Sequence, residues 1–319
     1  MNEEYIQSEM FCMGTIITQR IYGENGKEVM LEVEREMRAL EKAMNFYDTS
    51  SEIGVLNECG FEKEIELSKE VYDVIRSAKY FSEISSGAFD ICLAPIIKLW
   101  GVFSDKEKIP SRREIDTALR LVNCRDLILD DKSRTVRLSK KNMMVDLGGI
   151  AKGFAADKAI EIYKTRDIKA AFINLGGNVA VFGKKPEGDA WCIGIQNPLK
   201  ERGEIIAALN INNKSVVTSG NYVRYFEKNN IKYHHIMDGR TGYPARSSLL
   251  SVTVIAENSM LCDALSTAAF VLGINRGIEL IKRFIDVDAI FVTEDNKIKV
   301  TQNITENFYL IDRNKFSYI

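Results

Sequence analysis

The sequence predicts an α+β fold in which mainly antiparallel sheets pack against helices, and three observations carry that prediction. Helical and strand segments come in blocks and do not alternate as strict βαβ units. From about residue 126 onward the chain is β-rich, with short runs of Val, Ile and aromatic residues between glycine turns. Across 319 residues, 45% are hydrophobic and 28% charged, a globular composition long enough to bury a core without disulfides or a structural metal. The expected unit is one domain over 1–319, or two intimately packed lobes of about 1–125 and 126–319, since no flexible linker marks a boundary.

Residues 8–23 read as strand material around Thr15-Ile16-Ile17-Thr18. Lys27–Asn45 places Val29, Leu31, Val33, Met37, Leu40 and Met44 close to one helical stripe, and Ser68–Ser82 does the same with Val71, Val74, Ile75 and Ala78. Ser111–Val122 opens on a capping-type serine and reads as a third helix. Leu127–Leu138 is two alternating runs around a polar turn, a hairpin. Ile150–Lys164 is helical again, followed by an Ala170–Leu175 strand and a Gly176-Gly177-Asn178 turn. Strand candidates continue at Val179–Phe182, Trp191–Gln196, Ile205–Ile211, Val223–Phe226, Tyr233–Met237 and Leu250–Ala256. Ser259–Leu272 and Arg276–Phe284 read as helices, and Ala289–Val300 as a last hairpin.

A net charge of −2, with no basic stripe, excludes a phosphate-neutralising nucleic-acid binder. No run approaches the ~18 apolar residues of a transmembrane segment. Ile91–Phe103 is broken by Pro95 and Lys98, and Ala264–Ile274 is short and interrupted by Ser266. The acidic start Met1-Asn-Glu-Glu is unlike a signal peptide, so the chain as written is expected in the cytoplasm, and outside it only if a leader has been removed. Six scattered cysteines without a C-x-x-C pair fit reduced thiols.

Nucleotide-loop motifs fail. Gly177 and Gly183 are spaced wrongly for a Walker loop, and Gly148-Gly149-Ile-Ala-Lys-Gly153 is not G-x-G-x-x-G. Three weaker signals remain. Glycine turns at Gly148-Gly149, Gly176-Gly177 and Ser219-Gly220 are each expected to end a strand, and the first leads into a helix start where backbone N–H groups and Lys152 would attract an anion. Taken alone it reads first as a plain strand-to-helix turn with a solvated lysine. Asp263 and Thr267, four apart, share one helix face and offer hard oxygens suited to Mg²⁺, although in isolation a helix start with a back-bonded threonine is the better reading. His234 and His235 point to opposite faces of a strand, which argues against a two-histidine metal site and leaves one general base or, at least as readily, a satisfied structural histidine.

In order along the chain stand Met13-Gly14-Thr15, Gly87-Ala88-Phe89-Asp90, Asp146-Leu-Gly-Gly-Ile-Ala-Lys152-Gly153, Asn174-Leu-Gly-Gly-Asn178, Thr218-Ser-Gly220, His235-Ile-Met-Asp238 with Thr241-Gly242, and Asp263-Ala-Leu-Ser-Thr267. This series resembles the ApbE family of FAD:protein FMN transferases over roughly residues 11–275, and the resemblance implies a T-fold-related architecture. Two departures stand out: Gly239 replaces the family's usual proline, and Ser266 stands where some relatives carry a second acidic residue.

The resemblance implies Mg²⁺-dependent transfer of FMN from FAD to a threonine or serine hydroxyl of an acceptor protein with an FMN-binding-type domain. A phosphodiester forms and AMP leaves. It further implies Asp263, Thr267 and the Gly149 carbonyl as metal ligands, and Met13, Tyr47, Ala88, Phe89, Asp90, Asp146, Lys152 and Met237 as FAD contacts. His235 or Asp238 is then the candidate base for the acceptor hydroxyl. Two alternatives stay open at this point: a Mg²⁺-dependent FAD pyrophosphatase giving FMN and AMP, and a non-catalytic FAD-binding protein.

Overall fold

A computed structural model describes residues 5–102, 106–201 and 203–319. Phe103 and the acidic start at 1–4 lie outside them. The centre is a nine-stranded sheet, in spatial order Tyr5–Cys12, Thr15–Tyr22, Ala170–Leu175, Asn178–Phe182, Ser215–Gly220, Leu249–Ala256, Asp288–Thr293, Lys297–Val300 and Ser317–Tyr318. Every neighbouring pair is antiparallel except the last. The α+β expectation is met, antiparallel pairing included.

Seven α-helices accompany the sheet among the described residues: α1 (Gly26–Met44), α2 (Glu52–Cys59), α3 (Lys69–Ile84), α4 (Ala94–Trp100), α5 (Arg112–Leu119), α6 (Ala151–Thr165) and α7 (Ser259–Ile281). Residues alternate along each strand, so one face of the sheet meets helices and the other a second sheet. Val252 and Val254 join Val33, Met37, Ala155, Ala159 and Cys262 in the helix-side core. Ile255, Val216 and Ile290 instead meet Trp191, Ile193 and Leu209 of the three-stranded Trp191–Gln196, Ile205–Ile211, Phe308–Leu310 sheet. A third cluster around Trp100 joins α4 and α5 to the Tyr225–Lys228/Ile231–His234 hairpin.

One buried polar network ties the helices to the sheet: the Tyr163 hydroxyl donates to Gln19 Oε1 at 3.0 Å, and Gln19 Nε2 donates to the Met30 carbonyl at 3.1 Å. Pairing crosses position 125 as well, because Ile65–Glu66 pairs with Thr135–Leu138.

Several sequence expectations are met. Asn25–Met44, Ser68–Ile84 and Ser111–Leu119 are capped helices or nearly so, and Ser111 forms a capping box with Glu114. The run Ser259–Ile281 is divided at Gly273 (φ 76°, ψ 174°), whose non-helical backbone separates the two helices expected at 259–272 and 276–284. This run is apolar and long enough to cross a membrane, but its apolarity serves burial: Ala264, Leu265, Ala268, Ala269 and Phe270 are all in the core.

Other expectations change. Strand 8–23 is two strands joined by a two-residue turn, Met13 (φ 52°) and Gly14 (φ 68°), the left-handed pair that matches hairpin twist. No strand precedes Gly148. The extended Met143–Leu147 segment makes no ladder, because the Asn57 side chain takes both polar groups of Val145 and the Ile91 carbonyl takes the Asp146 N–H. The strand expected at Val223–Phe226 begins at Tyr225, and the one at Tyr233–Met237 breaks after His234, where the buried ring accepts the Ile236 N–H.

Candidate active site

Two helix starts meet below the sheet, and glycine makes the meeting close. A Cβ at Gly153 in α6 would lie 2.5 Å from the Ser259 carbonyl oxygen and 2.6 Å from Met260 Cα in α7. The contact is locked by reciprocal hydrogen bonds. Asp157 of α6 accepts the N–H groups of Ser259 and Met260 at 2.7 and 2.9 Å, and Asp263 of α7 accepts the Gly153 N–H through Oδ2 at 2.9 Å. Burial raises the Asp157 carboxyl to about 6 despite those two donors.

Asp263 is 5% exposed, and among the described residues its Oδ1 makes no hydrogen bond. One helical turn on, Thr267 Oγ1 lies 3.1 Å from Ser219 Oγ. A Cβ on Gly149 would stand 3.9 Å from that same Oγ1 and 3.2 Å from the Phe89 ring. Gly149 is therefore brought to the helix face that carries Asp263 and Thr267, a segment distant from it in sequence. The three offer a carbonyl, a carboxylate and a hydroxyl, a hard-oxygen set with a single formal charge. Among the described residues no group of three His, Cys, Asp or Glu side chains could hold a metal by itself. A cation here needs further oxygens from a substrate, which suits Mg²⁺ better than a caged metal.

The loop before α6 supplies less anion-binding backbone than expected. Asp146 Oδ1 takes the Gly148 N–H at 2.8 Å, the Leu147 carbonyl takes those of Ile150 and Ala151, and Asp263 takes that of Gly153. The Gly149 and Lys152 amides remain. Lys152 Nζ donates to the Gly148 carbonyl at 3.1 Å, which holds its charge over the loop. Burial raises the Asp146 carboxyl above the usual range, partly offset by the Gly148 N–H and the Lys152 charge.

Around this centre sit the hairpin turn and the histidine. Met13 N–H donates to Glu41 Oε1 at 2.6 Å, and Arg224 Nη2 donates to the Gly14 carbonyl at 3.1 Å. Tyr47 is largely exposed, and its phenol is raised by partial desolvation and by the charge of Asp146, which puts it beside the loop. The Arg224 carbonyl accepts His235 Nδ1–H at 3.1 Å, so in the neutral ring Nε2 carries the lone pair. Burial lowers His235 to about 4, and the charges of Arg224 and Lys152 add to this. His234 is structural: its Nε2–H donates to the Ala245 carbonyl and Nδ1 accepts the Ile236 N–H.

Three expected residues are engaged within the protein. Asp238 is held by Arg240, whose Nε and Nη2 reach its two oxygens at 2.8 Å each. Asp90 caps the Ile91–Leu93 turn through Cys92 N–H at 2.8 Å and takes Cys124 N–H at 3.2 Å. Met237 is 3% exposed in the cluster around Trp100. Ala88 and Phe89 are equally buried, with Phe89 against Gly149. A cleft of about 300 Å³ opens behind them, lined by Gly87, Asp90, Asn123, Arg125, Gly239 and Arg240. Ser219 as a side chain, Arg224 and Asp157 were not singled out from sequence. Only Asp157 had a signal, four residues after Gly153 on one helix face.

The ApbE family model matches residues 13–291, and the chain belongs to that family. Among its relatives, a Klebsiella pneumoniae (strain 342) protein named FAD:protein FMN transferase is 34% identical over 286 residues, covering 90% of this chain and 88% of its own. One of the same name from Treponema pallidum (strain Nichols) is 32% identical over 327 residues, covering 97% and 90%. The crystal structure of the ApbE protein from Thermotoga maritima superposes with a TM-score of 0.88 at 32% identity, over 95% of this chain and 99% of the other.

Proposed function

We propose that this chain is an FAD:protein FMN transferase that moves FMN from FAD to a threonine or serine hydroxyl of an acceptor protein, in a Mg²⁺-dependent reaction that releases AMP. The observation that carries the reading is the approach of Gly149 to Thr267 Oγ1, one helical turn from Asp263, where α6 and α7 cross. Membership of a family whose named relatives are flavin transferases supports the same reading.

A divalent ion held there would supply Lewis-acid charge to the FAD diphosphate. The protein's own residues do the rest. Lys152 adds a positive charge over the same loop, and Asp263 is fixed by the Gly153 N–H of α6 before substrate arrives. His235, neutral above about pH 4 and with Nε2 unprotonated, takes the proton of the acceptor hydroxyl as it attacks phosphorus. In this reaction an acceptor O–P bond forms, the anhydride P–O bond breaks, and AMP departs with the electron pair.

Tyr47 and the Met13–Gly14 turn border the flavin side of this site, and the acceptor is a protein with an FMN-binding-type domain. The test is mass spectrometry of such an acceptor after incubation with FAD, Mg²⁺ and this protein. A gain of one FMN, absent with Asp263→Ala, supports the reading. AMP release at the same rate without acceptor assigns a pyrophosphatase instead.

A further inference from the structure

Thr267 belongs to a chain of hydroxyls whose direction is set at its far end. Ser219 Oγ lies 2.8 Å from Ser266 Oγ and 3.1 Å from Thr267 Oγ1, and Ser266 Oγ donates to the Asp263 carbonyl at 3.0 Å. Each hydroxyl owns one proton, and a carbonyl has none to give. The Ser266 proton is committed to that carbonyl, so Ser219 donates to Ser266. With its own proton spent, Ser219 accepts from Thr267. The Thr267 proton thus points into the protein, and the remaining lone pairs of Oγ1 are left for the side where Gly149 stands.

We infer that Ser219 is a positioning residue for cation capture: by taking the Thr267 proton it presents Oγ1 to a divalent ion as a pure acceptor. This rests on the cation reading proposed above and names a residue that reading does not require. Ser219 is well placed for the task, because its strand is paired through the register Ser219↔Val252 in the middle of the nine-stranded sheet. Without it, the Thr267 hydroxyl is free to turn its proton toward the site, where it would face the cation's charge. Removing Ser266 frees Ser219 to reverse and donate to Thr267, which releases the same proton by another route.

The test uses Mn²⁺ as the probe, its binding to the full chain followed by electron paramagnetic resonance of the free ion, with and without FAD. Ser219→Ala is expected to weaken Mn²⁺ binding about three- to tenfold, the scale of one lost hydrogen bond. Ser219→Thr keeps the hydroxyl and is expected to restore binding. In a Thr267→Val background, Ser219→Ala is expected to add no further loss. Ser266→Ala, on a different element, provides a second variant, with a weakening of about threefold.

Equal binding by wild type and Ser219→Ala, or an equal loss with and without Thr267, overturns the inference. If wild type takes up Mn²⁺ and Asp263→Ala does not while Ser219→Ala does so unchanged, this inference alone falls. If wild type takes up none, the cation reading falls with it.

Discussion

Gly153→Ala tests how tightly α6 and α7 must approach. The added methyl carbon would lie 2.5 Å from the Ser259 carbonyl oxygen, about 0.9 Å inside the 3.4 Å where ordinary van der Waals contact begins, and 2.6 Å from Met260 Cα. Both neighbours are backbone, so no side-chain rotation relieves the overlap. The helices must part, and the Gly153 N–H to Asp263 bond at 2.9 Å stretches with them. Helix propensity works the other way, favouring alanine by about 1 kcal/mol, while overpacking of a close contact costs about 1–3 kcal/mol. A lost charge-assisted hydrogen bond adds about 1.5–3 kcal/mol. The net expectation is destabilisation of about 1.5–5 kcal/mol on these scales, read from urea unfolding followed by far-UV circular dichroism. Mn²⁺ binding weakens in parallel because Asp263 is displaced. A variant as stable as the wild type, with unchanged Mn²⁺ binding, would refute the close-crossing argument.

Asp263→Ala is expected to lower FMN transfer by at least about a hundredfold, the scale of one lost electrostatic group at a transition state; retained transfer removes Asp263 from the site. For His235, the folded value of about 4 lies below the ordinary 6.5, so the unfolded chain binds the extra proton in that window. Its contribution to stability is present above about pH 6.5 and lost as pH falls toward 4, and wild type is expected to lose stability relative to His235→Gln across that span in urea titrations. Parallel curves for the two proteins would contradict it. Trp100→Phe removes the indole N–H that meets the Gly242 carbonyl at 2.8 Å in a fully buried site, and a loss of about 1–3 kcal/mol in chemical denaturation is expected. Ser111→Ala removes one half of a capping box and is expected to cost about 1 kcal/mol by the same measurement.

The parts of this fold that were legible in the sequence are those whose burial is one-sided. Helix α1 shows its stripe because only one face meets the sheet, and the Leu127–Leu138 hairpin shows its alternation for the same reason. Helices α2 and α4 were not anticipated: the first is a short capped turn, and the second is packed into the Trp100 cluster with little polar face to give it a period. The extended segment before Gly148 looked like a strand because Val145 and Leu147 are apolar, but its partners are the Asn57 side chain and the Ile91 carbonyl, which no local pattern encodes. Within the site, Asp263 and Thr267 were readable from their spacing on one helix. Ser219 and Arg224 were not, since each acquires its role from a residue far away in sequence, Thr267 in one case and Gly14 in the other.

The mutual capping of α6 and α7 has a consequence for exchange with solvent. The amides of Gly153, Ser259 and Met260 are each secured by a carboxylate from the opposite helix, so no fraying of a single helix end releases them. They should trade hydrogen for deuterium only when the whole molecule opens, at the slow rate set by global stability. The corner where α6 and α7 cross would then be among the last parts of the protein to soften on warming, and any flexibility needed to admit an acceptor protein would have to come from the hairpins around it.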